Sequence, residues 1–112
     1  MAPIVYKLVP APLWHASEAA GVFTGSPVDV SDGFIHFSTA AQVRETAARH
    51  FAGVEDVLLV AVSADRLAVK WEPSRGGALF PHLYGPLPLV SVLWVRELPL
   101  VRGAHVFPEL AG

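Results

Sequence analysis

Two hydrophobic periods run along this chain and lay out its elements. Ile4-Val5-Tyr6-Lys7-Leu8-Val9 is β-branched and aromatic and predicts a first strand. Pro10 stops it. Pro12 then fits the first turn of a helix, where a missing N–H costs nothing. Leu13, Ala16 and Ala20 would form the buried stripe of that helix, and Gly21 its left-handed end. Thr24 to Gly33 is dense in Gly, Pro, Ser and Asp and reads as turns. A strand follows over Phe34-Ile35-His36-Phe37-Ser38. Alternation sends Ile35 and Phe37 to the core and puts Phe34, His36 and Ser38 on the other face.

Thr39 and Gln42 have the spacing of a capping box. They predict a helix to about Phe51, with Val43, Ala47 and Phe51 on its buried face and Gly53 beyond its end. Val57–Val62 is a short continuous apolar run, as in a buried strand. Asp65-Arg66 reads as a turn. Leu67, Val69 and Trp71 alternate and would point inward. Val90–Val95 predicts another strand, and Leu98–Val101 and His105–Phe107 short ones.

Residues 72–88 interrupt this pattern. They hold seven Gly or Pro residues beside Phe80, His82 and Tyr84. Gly and Pro break helices and central strands, whereas disordered segments are poor in aromatics. The stretch therefore reads as an ordered loop packed on the body, displaying Glu72, Arg75, His82 and Tyr84. The order β-α-β-α-β-β-loop-β-β predicts one α+β domain over residues 1–112, with a largely antiparallel sheet.

Composition removes several function classes. The chain has 112 residues, 53% hydrophobic and 16% charged, which is ample for a core. The formal net charge is −2 with both signs intermixed, so no duplex-binding patch is expected. No apolar run approaches the about 18 residues of a membrane span. There is no cysteine, which excludes thiolate nucleophiles and Cys-based zinc sites. With no signal-peptide pattern, this fits a cytoplasmic protein. GxSxG, P-loop and GxGxxG motifs are absent.

Three constellations carry candidate chemistry. In the first, His36 and Ser38 lie at the end of a strand that runs into a capped helix, a favourable place for a polar ligand. In the second, Glu72 ends a strand, where a carboxylate acts as a base or holds a ribose hydroxyl. Arg75 beside Gly76 and Gly77 suits an anion. In the third, His82 is a second ligand-facing histidine and Tyr84 a stacking surface. Each has a plain alternative: a structural histidine, a Glu72–Arg75 surface pair, or a packed loop clamp. A His36–His82–Glu72 metal set has the right residue types, but paired-histidine spacing is lacking and no metal is expected. His15, His50 and His105 read as scattered surface positions.

VYKLV, SPVDVSDGFIHFSTAAQV, KWEPSRGG and FPHLYGPLPL resemble the DUF952 family of small bacterial proteins, whose function is unknown. That resemblance implies a compact relative of the ADP-ribosyltransferase fold, a mostly antiparallel split sheet with two helices. In that superfamily NAD lies in a central cleft, and an aromatic followed by His or Arg contacts the ribose; Tyr6 and Lys7 stand at that place. His36-Phe37-Ser38 is similar to the His-Leu-Ser segment of RNA 2′-phosphotransferases. Glu72 is one candidate for the superfamily's late glutamate, with Glu97 and Glu109 as others. The resemblance thus implies NAD or a related phosphorylated nucleotide as ligand or substrate, held between the His36 strand and the 72–88 loop. His36 and Glu72 would be catalytic, and Lys7, Ser38, Arg75, His82 and Tyr84 ligand-binding. The alternatives are a non-catalytic small-ligand or protein-binding domain whose polar loop residues are structural, or metal-assisted hydrolysis.

Overall fold

The computed structural model describes residues 3–111, except for the side chains of Arg66 and Arg75. In chain order it runs β1 (Ile4–Pro10), α1 (Ala11–Ala20), β2 (Val22–Phe23), α2 (Pro27–Asp32), β3 (Ile35–His36), α3 (Ala40–His50), β4 (Val57–Ser63), β5 (Val69–Ser74), β6 (Ala78–Leu83), β7 (Leu87–Pro88), β8 (Val92–Glu97), β9 (Leu100–Val101) and β10 (Ala104–His105). Two three-stranded sheets have the orders β1-β4-β8 and β3-β6-β5, and β2-β7 and β9-β10 form small pairs. Every pairing is antiparallel. The α+β class and antiparallel character match the sequence expectation.

β1 and β4 are apolar on both faces because both faces are covered. Val5 and Val9 of β1, with Leu58, Val60 and Val62 of β4, join one core with Trp14, Phe23, Ile35, Phe37, Leu83 and Leu87. Tyr6 and Leu8, with Val57, Leu59 and Ala61, pack on the other side against Val43 and Ala47 of α3. Lys7 falls between Val5 and Val9 in the alternation and pairs with Val60 across the ladder. It therefore enters the first core, and a lysine there needs a buried counter-charge.

Residues 35–38 join the two sheets. Ile35 and His36 pair with Leu83 and His82, while Ser38 pairs with Tyr6 of β1 through two hydrogen bonds of 2.8 Å. Phe37 N–H donates to the Pro81 carbonyl (3.0 Å), but Pro81 has no N–H to return. The ladder with β6 ends at that residue, and the chain crosses to β1.

Several expectations are corrected. The 72–88 stretch is no loop: it continues β5, turns at Arg75–Gly77 and returns as β6, in register from Ser74↔Ala78 to Val69↔Leu83. Gly76 (φ 72°) and Gly77 (φ 87°) supply the left-handed residues of that turn. Pro73 is tolerated because β5 is an edge strand. Trp71 lies largely exposed rather than buried, since it sits on the edge strand β5. In α1 the buried residues are Trp14 and Ser17, with Leu13 only partly covered and Ala16 and Ala20 exposed. Three α-helices, not two, occur among the described residues. The extra one, α2, sits in the stretch read as turns.

Candidate functional site

The cross-strand pair His36↔His82 centres the site. Directly opposed residues of antiparallel strands share a face, and the two imidazoles lie 5.5 Å apart, edge to face. Phe34 fills the space beside them. Its ring stacks on His82 at 4.2 Å and contacts His36 at 4.5 Å and Tyr84 at 5.1 Å. Lys70 Nζ lies 5.1 Å from the centre of the Tyr84 ring.

Each histidine is oriented by a carboxylate on Nδ1. For His82 it is Glu72, whose Oε1 lies 2.9 Å away and also accepts from the Tyr84 hydroxyl at 2.7 Å. Glu72 is two ladder positions from Lys70, the residue directly opposite His82, so the contact is a diagonal one. These bonds hold the Glu72 carboxyl below the usual range, the Tyr84 bond first and the His82 bond second. The same bond raises the Tyr84 phenol, which keeps its proton and remains the donor.

For His36 the partner is Asp29, at 2.6 Å from Nδ1. Phe37 N–H points to β6, so His36 N–H, one residue earlier, points away from it and donates to the same Asp29 oxygen (3.2 Å). Asp29 also accepts from Ser26 N–H (2.8 Å) and lies 3.0 Å from Lys7 Nζ through each carboxylate oxygen. It is thus the buried counter-charge that Lys7 requires. Burial pulls its pKa up, but the His36 bond, the Lys7 charge and the Ser26 N–H together outweigh this and bring it to about 2. Burial lowers the Lys7 ammonium, with the Asp29 charge pulling the other way. On its outer side His36 Nε2 meets Asp32 at 2.9 Å.

The sign of the pH dependence follows. Asp29 titrates lower in the folded state than its ordinary 3.8, so the folded protein binds fewer protons. Its stabilisation is complete above about pH 4 and is lost as pH falls through about 2. A shift of this size corresponds to about 2 kcal/mol. Urea unfolding of the protein and of Asp29→Asn over that window should show the drop in the former and a shallower slope in the latter. Parallel slopes would remove Asp29 from the account.

Of the sequence-predicted site residues, the structure brings together His36, Glu72, His82 and Tyr84. It separates two others. Lys7 is buried in the Asp29 ion pair and presents no ammonium to a ligand. Ser38 is 4% exposed and bonds Thr46 of α3 at 2.9 Å, because its backbone follows β1 rather than β6. The Arg75 side chain lies outside what the structure describes. The expected cleft between two facing walls is also corrected: β3 and β6 are hydrogen-bonded neighbours, so the candidate residues share one sheet face. Two grooves of about 300 Å³ lie elsewhere, one lined by Arg44, Ala48, His105 and Phe107, the other by Glu55, Asp56, Glu97 and Pro99. Sequence reasoning missed Asp29, Asp32 and Phe34. Among the described residues, no group of three or more His, Asp or Glu is arranged to hold a metal ion, and no helix is long and apolar enough to cross a membrane.

A family model described as "Protein of unknown function (DUF952)" matches residues 8–95. The chain belongs to the DUF952 family. The crystal structure of protein CC0527 from Caulobacter crescentus is 45% identical to this DUF952 chain, covers 92% of it and 93% of CC0527, and superposes with a TM-score of 0.89. The solution NMR structure of CC0527 is also 45% identical, with coverage of 91% and 90% and a TM-score of 0.81. A comparison with curated proteins gave no match. The DUF952 match begins at Leu8 and ends at Val95, so it spans the histidine cluster from Asp29 to Tyr84 and starts one residue after Lys7.

Proposed function

We propose that the outer face of the β3-β6-β5 sheet binds a small phosphorylated nucleotide, with NAD or ADP-ribose as the first candidates. The observation that carries this is the pair of adjacent imidazoles, each backed by a carboxylate, beside the half-exposed Tyr84 ring. Carboxylate-backed histidines suit hydrogen bonding and proton transfer to ligand oxygens near neutral pH. Tyr84 is 48% exposed, and Lys70 places a cation over its ring. The resemblance to the ADP-ribosyltransferase superfamily supports a nucleotide over other small ligands. In this reading Glu72 orients His82 toward the ligand, His36 lines the site, and Lys7 acts only through Asp29.

Amide NMR during titration with NAD and ADP-ribose tests the reading. Binding should move the signals of residues 34–36 and 82–84 while leaving α3 unchanged. If saturating ligand leaves those signals in place, the nucleotide reading is wrong. One observation favours a purely structural cluster: both ring nitrogens of His36 are already bonded to Asp29 and Asp32. That alternative predicts an unresponsive cluster together with a large loss of melting temperature in His82→Ala.

A further inference from the structure

We infer that the two histidines have different roles, with His82 Nε2 the proton acceptor of the site and His36 closed to a ligand by its two carboxylates. The inference rests on the nucleotide reading only for the ligand, a hydroxyl such as that of a ribose. The roles themselves follow from hydrogen bonding. A carboxylate only accepts, so a histidine nitrogen facing one must carry a proton. His36 faces Asp29 through Nδ1 (2.6 Å) and Asp32 through Nε2 (2.9 Å). Both ring nitrogens of His36 are thus taken by carboxylates, and neither is open to a ligand.

His82 has one carboxylate, Glu72 on Nδ1. Its Nδ1 proton is thereby placed, and Nε2 is left with its lone pair. Among the described residues nothing donates to Nε2. The nitrogen is not sealed either: the only fully buried side-chain nitrogen or oxygen without a partner among the described residues is Trp14 Nε1. Nε2 therefore keeps some contact with the surface, although His82 as a whole is only 5% exposed. The groups facing the His82 ring are Glu72 and Lys70 from β5, His36 and Phe34 from β3 and its approach, and Tyr84 beyond β6. None offers a proton to Nε2.

The step this supports is a single proton transfer. The O–H bond of a ligand hydroxyl breaks, an N–H bond forms at Nε2, and the electron pair stays on the ligand oxygen. His82 becomes an imidazolium facing Glu72, which makes Glu72 a positioning residue for it. The ligand oxygen is then a nucleophile or a strong acceptor.

Histidine side-chain ¹⁵N NMR on the ligand-free protein at about pH 8, above the ordinary histidine range, reads this directly. His82 should show a protonated Nδ1 and an unprotonated Nε2. Glu72→Gln should keep the His82 pattern, since the amide oxygen still accepts. Glu72→Ala should release it toward the Nε2–H form. A protonated Nε2 on neutral His82 in the unaltered protein overturns the assignment, whatever binds. Adding ADP-ribose separates the two claims: a shift of His82 Nε2 supports both. The expected tautomer with no response to ADP-ribose keeps the acceptor role and removes the nucleotide reading.

Discussion

Replacing Asp29 by alanine is expected to lower the unfolding free energy by about 3–5 kcal/mol, the usual range for removing one partner of a buried ion pair. The Lys7 and Asp29 side chains are only 8% and 1% exposed. Alanine leaves the Lys7 ammonium among Val5, Val9 and Val60 with no counter-charge, and the cost of that isolated charge dominates. The substitution also removes the acceptor for Ser26 N–H, which organises the entry to α2, and the oxygen bound by His36. The attraction between the charges is not itself the source of stability, since taking both out of water offsets most of it. The double variant Lys7→Met, Asp29→Leu should therefore recover much of the loss. Urea unfolding of the two single variants and the double one gives the coupling. A loss under about 1 kcal/mol in Asp29→Ala, the ordinary effect of a surface change, would mean that Lys7 finds water or another acceptor, and the buried pair would not be the joint described here.

Much of the frame was legible because its signals are local. The Val57–Val62 run, the Thr39–Gln42 cap and the Ile35 and Phe37 alternation each depend on a few neighbours, and each matches the observed β4, α3 and β3. What was not legible depends on where an element lands. Pro73 and Pro81 mark a break only if their strands need every donor. Pro73 sits on an edge strand, and Pro81 sits where the β3 ladder ends, so neither obstructs the hairpin. Trp71 alternates like a core residue, but it sits on the edge strand β5. Asp29 had a usable signal. Ser26 and Asp29 have the same capping spacing as Thr39 and Gln42, and Ser26 N–H does bond the Asp29 carboxylate. The surrounding Gly and Pro residues hid a helix of only six residues.

The same limits explain the site. His36, Glu72, His82 and Tyr84 were accessible from residue type and loop context, but their convergence comes from strand register. A shift of one residue in the β3-β6 ladder would send one histidine to the opposite face. Lys7 and Ser38 were misplaced for a related reason. Both belong to the β1 side of the junction, where alternation sends Lys7 to the core and Ser38 toward Thr46.

Phe37→Ala tests whether that junction holds the site in place. Its loss of stability should be about 3–5 kcal/mol, the range for emptying a buried phenylalanine position. Phe37 is 2% exposed and packs in the core shared by both sheets, directly between His36 on β3 and Ser38 beside β1. No polar group of the cluster is touched by the substitution. If register and packing position His36, the variant should still fold at low temperature but lose order in the His36 bonds to Asp29 and Asp32, read as weakened or exchange-broadened imidazole ¹⁵N signals. Leu79→Ala is the matched control on the β5-β6 hairpin: Leu79 is 52% exposed, and its loss should change stability by no more than about 0.5 kcal/mol. Unaltered His36 signals in a strongly destabilised Phe37→Ala would show that Asp29 and Asp32 alone fix the ring. Equal effects of the two substitutions would mean that the core does not pass through residues 35–38. The expected contrast has a physical cause: β3 has only two paired residues, too few for its ladder to hold it, so the apolar side chains on either side of His36 must anchor the strand that carries it.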